Sequence, residues 1–128
     1  MIIAGEHGVV YGKPALAVAI DRRSYVRVDE RKDKKIVIES ASLHVRGEYE
    51  DGRFQTLLGR EATKKILDPI HFAITEVLEN ATQKRGIDLR IDSQIPVGAG
   101  LGSSASTIVA TVAGTARLLE VKLSPKER

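Results

Sequence analysis

The run Pro96-Val97-Gly98-Ala99-Gly100-Leu101-Gly102-Ser103-Ser104-Ala105 holds the residue types that grip a polyphosphate. Gly98, Gly100 and Gly102 alternate with Ala99 and Leu101, so the main chain can lie close to a ligand. The run opens onto an alanine-rich stretch of helical character. At a helix mouth the first N–H groups lack partners, and the dipole amounts to about half a positive charge. An anion is the natural occupant. Ser103 and Ser104 add hydroxyls that can bond a phosphate oxygen or reach a phosphate-bound Mg²⁺. No Gly-Lys-Ser/Thr follows, so the loop is not of the Walker type. The third glycine also comes too early for a dinucleotide fingerprint. The plain alternative is a glycine loop ending in a serine N-cap. Ile95-Pro96 in front, the doubled serine and the apolar helix behind favour phosphate binding.

A second constellation is Gly5-Glu6-His7-Gly8-Val9-Val10-Tyr11-Gly12. Glu6 and His7 are adjacent ionisable groups in a glycine-rich loop, able to bind a hydroxyl or carboxylate or to tune one another. Taken alone, such a pair reads more simply as solvated surface. The other candidates read as structural or solvated. His44 falls in an alternating strand and His71 in the first turn of a helix, neither with a metal-ligand partner at useful spacing. Arg31 to Lys35 reads as a hydrated hairpin tip, and Lys13 as a surface lysine.

These residues need elements to hold them. Met1 to Ile3 reads as the end of a strand, Gly5 to Pro14 as a loop and Ala15 to Ile20 as a buried strand. Further strands are expected at Tyr25–Asp29, Ile36–Glu39 and Leu43–Tyr49, with a turn at Glu50-Asp51-Gly52. A helix is predicted to start with Asp68 as N-cap and Pro69 at the first helical position. Ile70, Ala73, Ile74, Val77, Leu78 and Ala81 keep its period, and Gly86 is placed to end it. Ile87, Leu89 and Ile91 alternate with Asp88, Arg90 and Asp92 in a strand, and Gln94 to Gly102 forms the glycine-rich loop. Ser103 to Leu119 reads as a second helix, apolar almost all round and therefore central and buried. Ser124-Pro125-Lys126-Glu127 is a capping box that announces another helix, so the natural polypeptide is expected to continue.

The bulk composition limits the alternatives. The chain has 128 residues, enough for one domain with a core. A net charge of +3, spread along the chain, suits a small anionic ligand rather than nucleic acid. Five aromatic residues are too few for a base-stacking platform. The absence of cysteine excludes disulfides and thiolate metal sites and fits a reducing cytoplasm. No apolar run approaches the roughly 18 residues of a membrane span, and the N-terminus does not read as a signal peptide.

Pro96 through Ala105 resembles the central ATP-binding motif of the GHMP kinases, the family of galactokinase, homoserine kinase, mevalonate kinase and phosphomevalonate kinase. Gly5 to Gly12, followed by Ala15-Leu16-Ala17, is similar to the N-terminal signature of its mevalonate kinase branch. The resemblance implies an α+β fold, the GHMP-kinase N-terminal domain. That domain has a mostly antiparallel sheet backed by helices, with a left-handed β-α-β unit where general chirality favours a right-handed one. It implies ATP and Mg²⁺, with Gly98, Ala99, Gly100, Leu101, Gly102, Ser103 and Ser104 around the phosphates and Ser104 on the metal. It implies Glu6 and His7 on the substrate side, mevalonate as substrate and 5-phosphomevalonate as product. It allows a homodimer and involves neither nucleic acid nor membrane. The family's catalytic lysine precedes Gly5, and its catalytic aspartate lies beyond Arg128. Residues 1–128 are thus expected to be a truncated N-terminal domain, inactive alone. The rivals are a sister kinase, such as phosphomevalonate or homoserine kinase, and a non-catalytic nucleotide-binding fragment.

Overall fold

The computed structural model describes residues 2–4, 16–17, 23–82, 84–94 and 103–122. Ile2–Ala4 (β1) and Leu16–Ala17 (β2) pair antiparallel, with Ala4 opposite Leu16. Ser24–Arg31 (β3), Ile36–Ser40 (β4), Val45–Glu50 (β5), Arg53–Leu58 (β6) and Gly86–Ser93 (β7) form one five-stranded sheet in the order β3-β7-β4-β5-β6. Only the β4–β7 pair is parallel; the other junctions are antiparallel. Thr63–Glu79 (α1) lies over β4, β5 and β6, and Ser103–Leu118 (α2) over β3 and β7. The architecture is the expected α+β one, a mostly antiparallel sheet backed by helices.

Alternation builds the core. Ile36 and Ile38, Val45 and Tyr49, and Ile87, Leu89 and Ile91 bury one face of the sheet beneath Leu67, Ile70 and Ile74 of α1. The opposite face interleaves charges. Arg27, Arg90, Glu39 and Arg46 share one row across four strands, with Asp29, Asp88 and Glu48 in the next. Arg90 pairs with Glu39 at 3.7 Å and Lys35 with Glu48 at 3.3 Å.

Several local expectations give way to tertiary contacts. α1 begins at Thr63, so Asp68 is not its N-cap and Pro69 lies inside it. Thr63 takes over the start: its Oγ1 accepts the Arg60 N–H at 3.0 Å. An interior proline costs about 3 kcal/mol. Burial of Leu67, Ile70, Ala73, Ile74 and Val77 around it, at about 1.5–3 kcal/mol for each larger side chain, outweighs that. The helix ends at Glu79, where Asn80 closes it by donating from Nδ2 to the Glu76 carbonyl at 3.0 Å.

Gly86 does not end the helix; it opens β7. A Cβ there would run into the carbonyl oxygens of Asp33 and Lys35, which belong to the segment crossing from β3 to β4. That segment is no hairpin tip, because β7 lies between the two strands it joins. Arg31 grips Asp33 through two bonds of 2.8 and 2.9 Å and holds its carboxyl down to about 2. Gly86→Ala should therefore lower stability by about 1–3 kcal/mol, read as a reduced urea midpoint. An unchanged midpoint would show that the crossing yields freely.

Two further differences concern turns and the second helix. His44 sits in a turn at φ 54°, just before β5, not within a strand. Asp51 and Gly52, at φ 49° and 76°, make a two-residue hairpin whose second strand, β6, is not foreseen in the sequence. α2 is not buried all round: its inner face carries Thr107, Thr111, Thr115 and Ala116, while Val109 is 67% exposed. The capping box at Ser124–Glu127 lies outside the described residues.

Candidate active site

The glycine-rich segment joins β7 to α2, and the elements on both sides of it are defined. On the strand side, Gln94 donates its N–H to the Arg23 carbonyl at 2.8 Å, and its side-chain oxygen accepts the Arg23 N–H at 3.2 Å. The Ser24 and Ser93 hydroxyls lie 2.9 Å apart beside this clamp. The exit of β7 is thus tied to the start of β3 directly before residue 95. On the helix side, α2 opens at Ser103 with no acidic residue in its first turn. No carboxylate there competes with an incoming anion for the free N–H groups or the dipole.

Gly98, Ala99, Gly100, Leu101 and Gly102 lie outside the described residues, as do Glu6, His7 and Lys13. Ser103 and Ser104 are the first two residues of α2. β1 and β2 bracket residues 5–15 and bring the two ends of that segment side by side. The donor set fits a magnesium-bound polyphosphate: two hydroxyl residues open a helix that runs on for four turns and has no acidic residue in its first turn. The Arg23–Gln94 clamp has no signal in the sequence, since its partners stand 71 residues apart.

A second polar group lies where β5 meets α1. Tyr49 donates its hydroxyl to Asp68 Oδ1 at 2.7 Å, and Lys64 Nζ lies 2.8 Å from Oδ2 of the same carboxyl. Lys64 first, then Tyr49, lowers the Asp68 carboxyl below its ordinary value. Burial chiefly, with the Asp68 hydrogen bond, raises the Tyr49 hydroxyl. His71 stacks flat on Tyr49, with ring centroids 3.8 Å apart at 5°. Burial lowers the His71 pKa, and Asp68 offsets this in part. The structural reading of His71 holds, with an aromatic partner that spacing alone does not reveal. No cluster of three metal-ligating side chains occurs among the described residues.

A depressed histidine pKa has a definite sign. The unfolded chain binds a proton at His71 below about pH 6.5, where the folded one resists it, so stability falls as pH drops from there toward the folded value. His71→Phe keeps a ring on Tyr49 and removes the titration. Its unfolding free energy should change less between pH 7 and pH 5 than that of the parent. An equal loss of unfolding free energy between the two pH values in both proteins, from urea titrations, would count against a half-buried neutral imidazole.

A concave region of about 630 Å³ at the β5–β6 hairpin is lined by Glu48, Glu50, Asp51, Arg53, Phe54 and Gln55. Three carboxylates against one guanidinium make it the wrong place for a polyphosphate. No helix among the described residues is long and apolar enough to cross a membrane.

Residues 69–128 match the GHMP kinases N terminal domain. The match takes in 60 of the 128 residues. The chain is similar to archaeal mevalonate kinases. It is 45% identical to the mevalonate kinase of Pyrococcus furiosus over 133 residues and 42% identical to that of Thermococcus sibiricus over 132. Each alignment takes in 99% of this chain and 39% of the relative, so the chain spans about 39% of their length. The crystal structure of Methanococcus jannaschii mevalonate kinase superposes with a TM-score of 0.73 at 28% identity, over 98% of this chain and 40% of that one. A second mevalonate kinase crystal structure gives a TM-score of 0.70 at 29% identity, again over 98% and 40%.

Proposed function

We propose that residues 1–128 are the nucleotide-phosphate-binding N-terminal part of a longer mevalonate kinase, which transfers the γ-phosphoryl group of ATP to the primary hydroxyl of mevalonate. The observation that supports this reading is the pair of elements flanking residues 95–102, a clamped strand end and a helix start free of acidic residues. Similarity to mevalonate kinases along 99% of the chain supports the choice of substrate. Main-chain N–H groups of Gly98 to Ser104 would hold the β- and γ-phosphates, and Ser104 would hold the magnesium ion between them. Bound there, Mg·ATP supplies the phosphoryl group. The contribution of this chain is to fix and neutralise the phosphates before reaction. Glu6 and His7 would face the mevalonate side.

The test is an ATP-turnover assay on the chain with its flanking sequence restored. ADP release should depend on mevalonate and fail with phosphomevalonate, homoserine or galactose. Residues 1–128 alone should be inactive. Turnover with one of the other acceptors would move the assignment to a sister kinase. ATP binding without turnover on any acceptor would leave a nucleotide-binding module.

A further inference from the structure

The buried side of α2 is lined with hydroxyls where aliphatic side chains would pack as well. Thr107, Thr111 and Thr115 follow one another at helical spacing and are 8%, 0% and 0% exposed. Ser103 stands one turn earlier on the same spacing, at the start of the helix. A buried hydroxyl adds no apolar contact and needs a partner, so each one calls for a reason. The two fully buried threonines differ. Thr111 Oγ1 donates to the Thr107 carbonyl oxygen at 2.8 Å, whereas Thr115 Oγ1 has no partner among the described residues.

The Thr111 bond places a second donor on a carbonyl that also closes the main-chain turn. Back-bonding of this kind slightly destabilises its turn and often bends helices. The position of the bond in α2 is informative. C-terminal to it, α2 is pressed on β3 at Gly114, where a Cβ would lie 3.1 Å from Val28 Cγ2. N-terminal to it lies the single turn that contains Ser103 and Ser104. A change of angle between a seated body and a short arm redirects the N–H groups of that arm.

We propose that Thr111 is a positioning residue for the phosphate site: its hydroxyl, bonded to the Thr107 carbonyl, sets the direction in which the first turn of α2 presents its N–H groups. The proposal rests on the kinase reading above and goes beyond it in naming a residue two turns from the phosphates. Thr115, on the same face one turn further, has no such role.

The experiment uses the complete enzyme. Thr111→Val keeps the shape and removes the bond; KM for ATP should rise about tenfold, in line with the cost of sub-ångström misplacement, with KM for mevalonate unchanged. Thr111→Ala should shift KM for ATP likewise, and Thr111→Ser should restore it. Tm of Thr111→Val should stay level or rise, because a buried hydroxyl has been removed. Thr115→Val should raise Tm and leave both KM values at the parental level. An active parent whose KM for ATP is unmoved in Thr111→Val and Thr111→Ala overturns the positioning role and spares the kinase reading. Equal shifts in Thr111→Val and Thr115→Val, or no rescue by serine, also overturn it. A parent without mevalonate-dependent ATP turnover overturns both.

Discussion

Ser104→Ala in the complete enzyme should lower kcat about a hundredfold or more, the scale of losing one preorganised contact to transferring phosphoryl oxygens. Ser104 belongs to a first helical turn that carries no acidic side chain, so no carboxylate of that turn can replace its oxygen on a metal. The loss should fall on kcat and on the magnesium dependence, because charge on the transferring group must be met most fully at the transition state. KM for mevalonate should move little, since Ser104 is assigned to the phosphates. The readouts are steady-state kinetics at saturating mevalonate and a magnesium titration at fixed ATP. An alanine variant with parental kcat and magnesium response would remove Ser104 from the site and weaken the assignment of the whole motif.

The second large effect belongs to the core. Leu67→Ala should destabilise the fold by about 3–4 kcal/mol, the usual range for leucine truncation at a site that cannot collapse. Leu67 is fully buried and belongs to the cluster that joins Val45 and Tyr49 of β5 to Ile70 and Ile74. It precedes Pro69, in the part of α1 that the sequence assigns to no helix. The variant therefore tests helix placement as well as packing. A midpoint within about 0.5 kcal/mol of the parent in urea would mean that α1 does not pack on β5 before the proline. Ile66, 38% exposed on the same helix, serves as the control: alanine there should cost far less.

Legibility followed the range of the interactions. Strands β3, β4 and β7 show in the alternation of Val26, Val28, Ile36, Ile38, Ile87, Leu89 and Ile91, because burial of one face writes itself with period two. β6 does not: Arg53 to Leu58 is largely exposed, so its apolar residues follow no face, and only the Asp51-Gly52 turn hints at a returning strand. Pro69 and Gly86 were misleading for one reason. Each has a strong local preference that longer-range packing overrules, on one side of β5 for the proline and beneath the β3–β4 crossing for the glycine. The Pro96–Ala105 motif, proposed above to hold the phosphates, stands out as a pattern because such chemistry uses consecutive residues. The clamp from Arg23 to Gln94, the Tyr49–His71 stack and the Thr111 bond within a buried face depend on three-dimensional neighbours and leave no comparable pattern.

The place of β7 in the sheet bears on the order of assembly. It is the last strand among the described residues, yet it separates β3 from β4, pairing Ser24 with Ser93 and Ile36 with Ile87. A nascent chain that has emerged only through α1 can zip β4, β5 and β6 together, while β3 still lacks its partner β7. Closing that gap requires contacts across some 70 residues, a slow step by loop-closure entropy. The segment proposed to hold the phosphates follows immediately, and the Arg23–Gln94 clamp in front of it is set only when the sheet closes. Closure of the sheet and formation of that anchor are therefore one event.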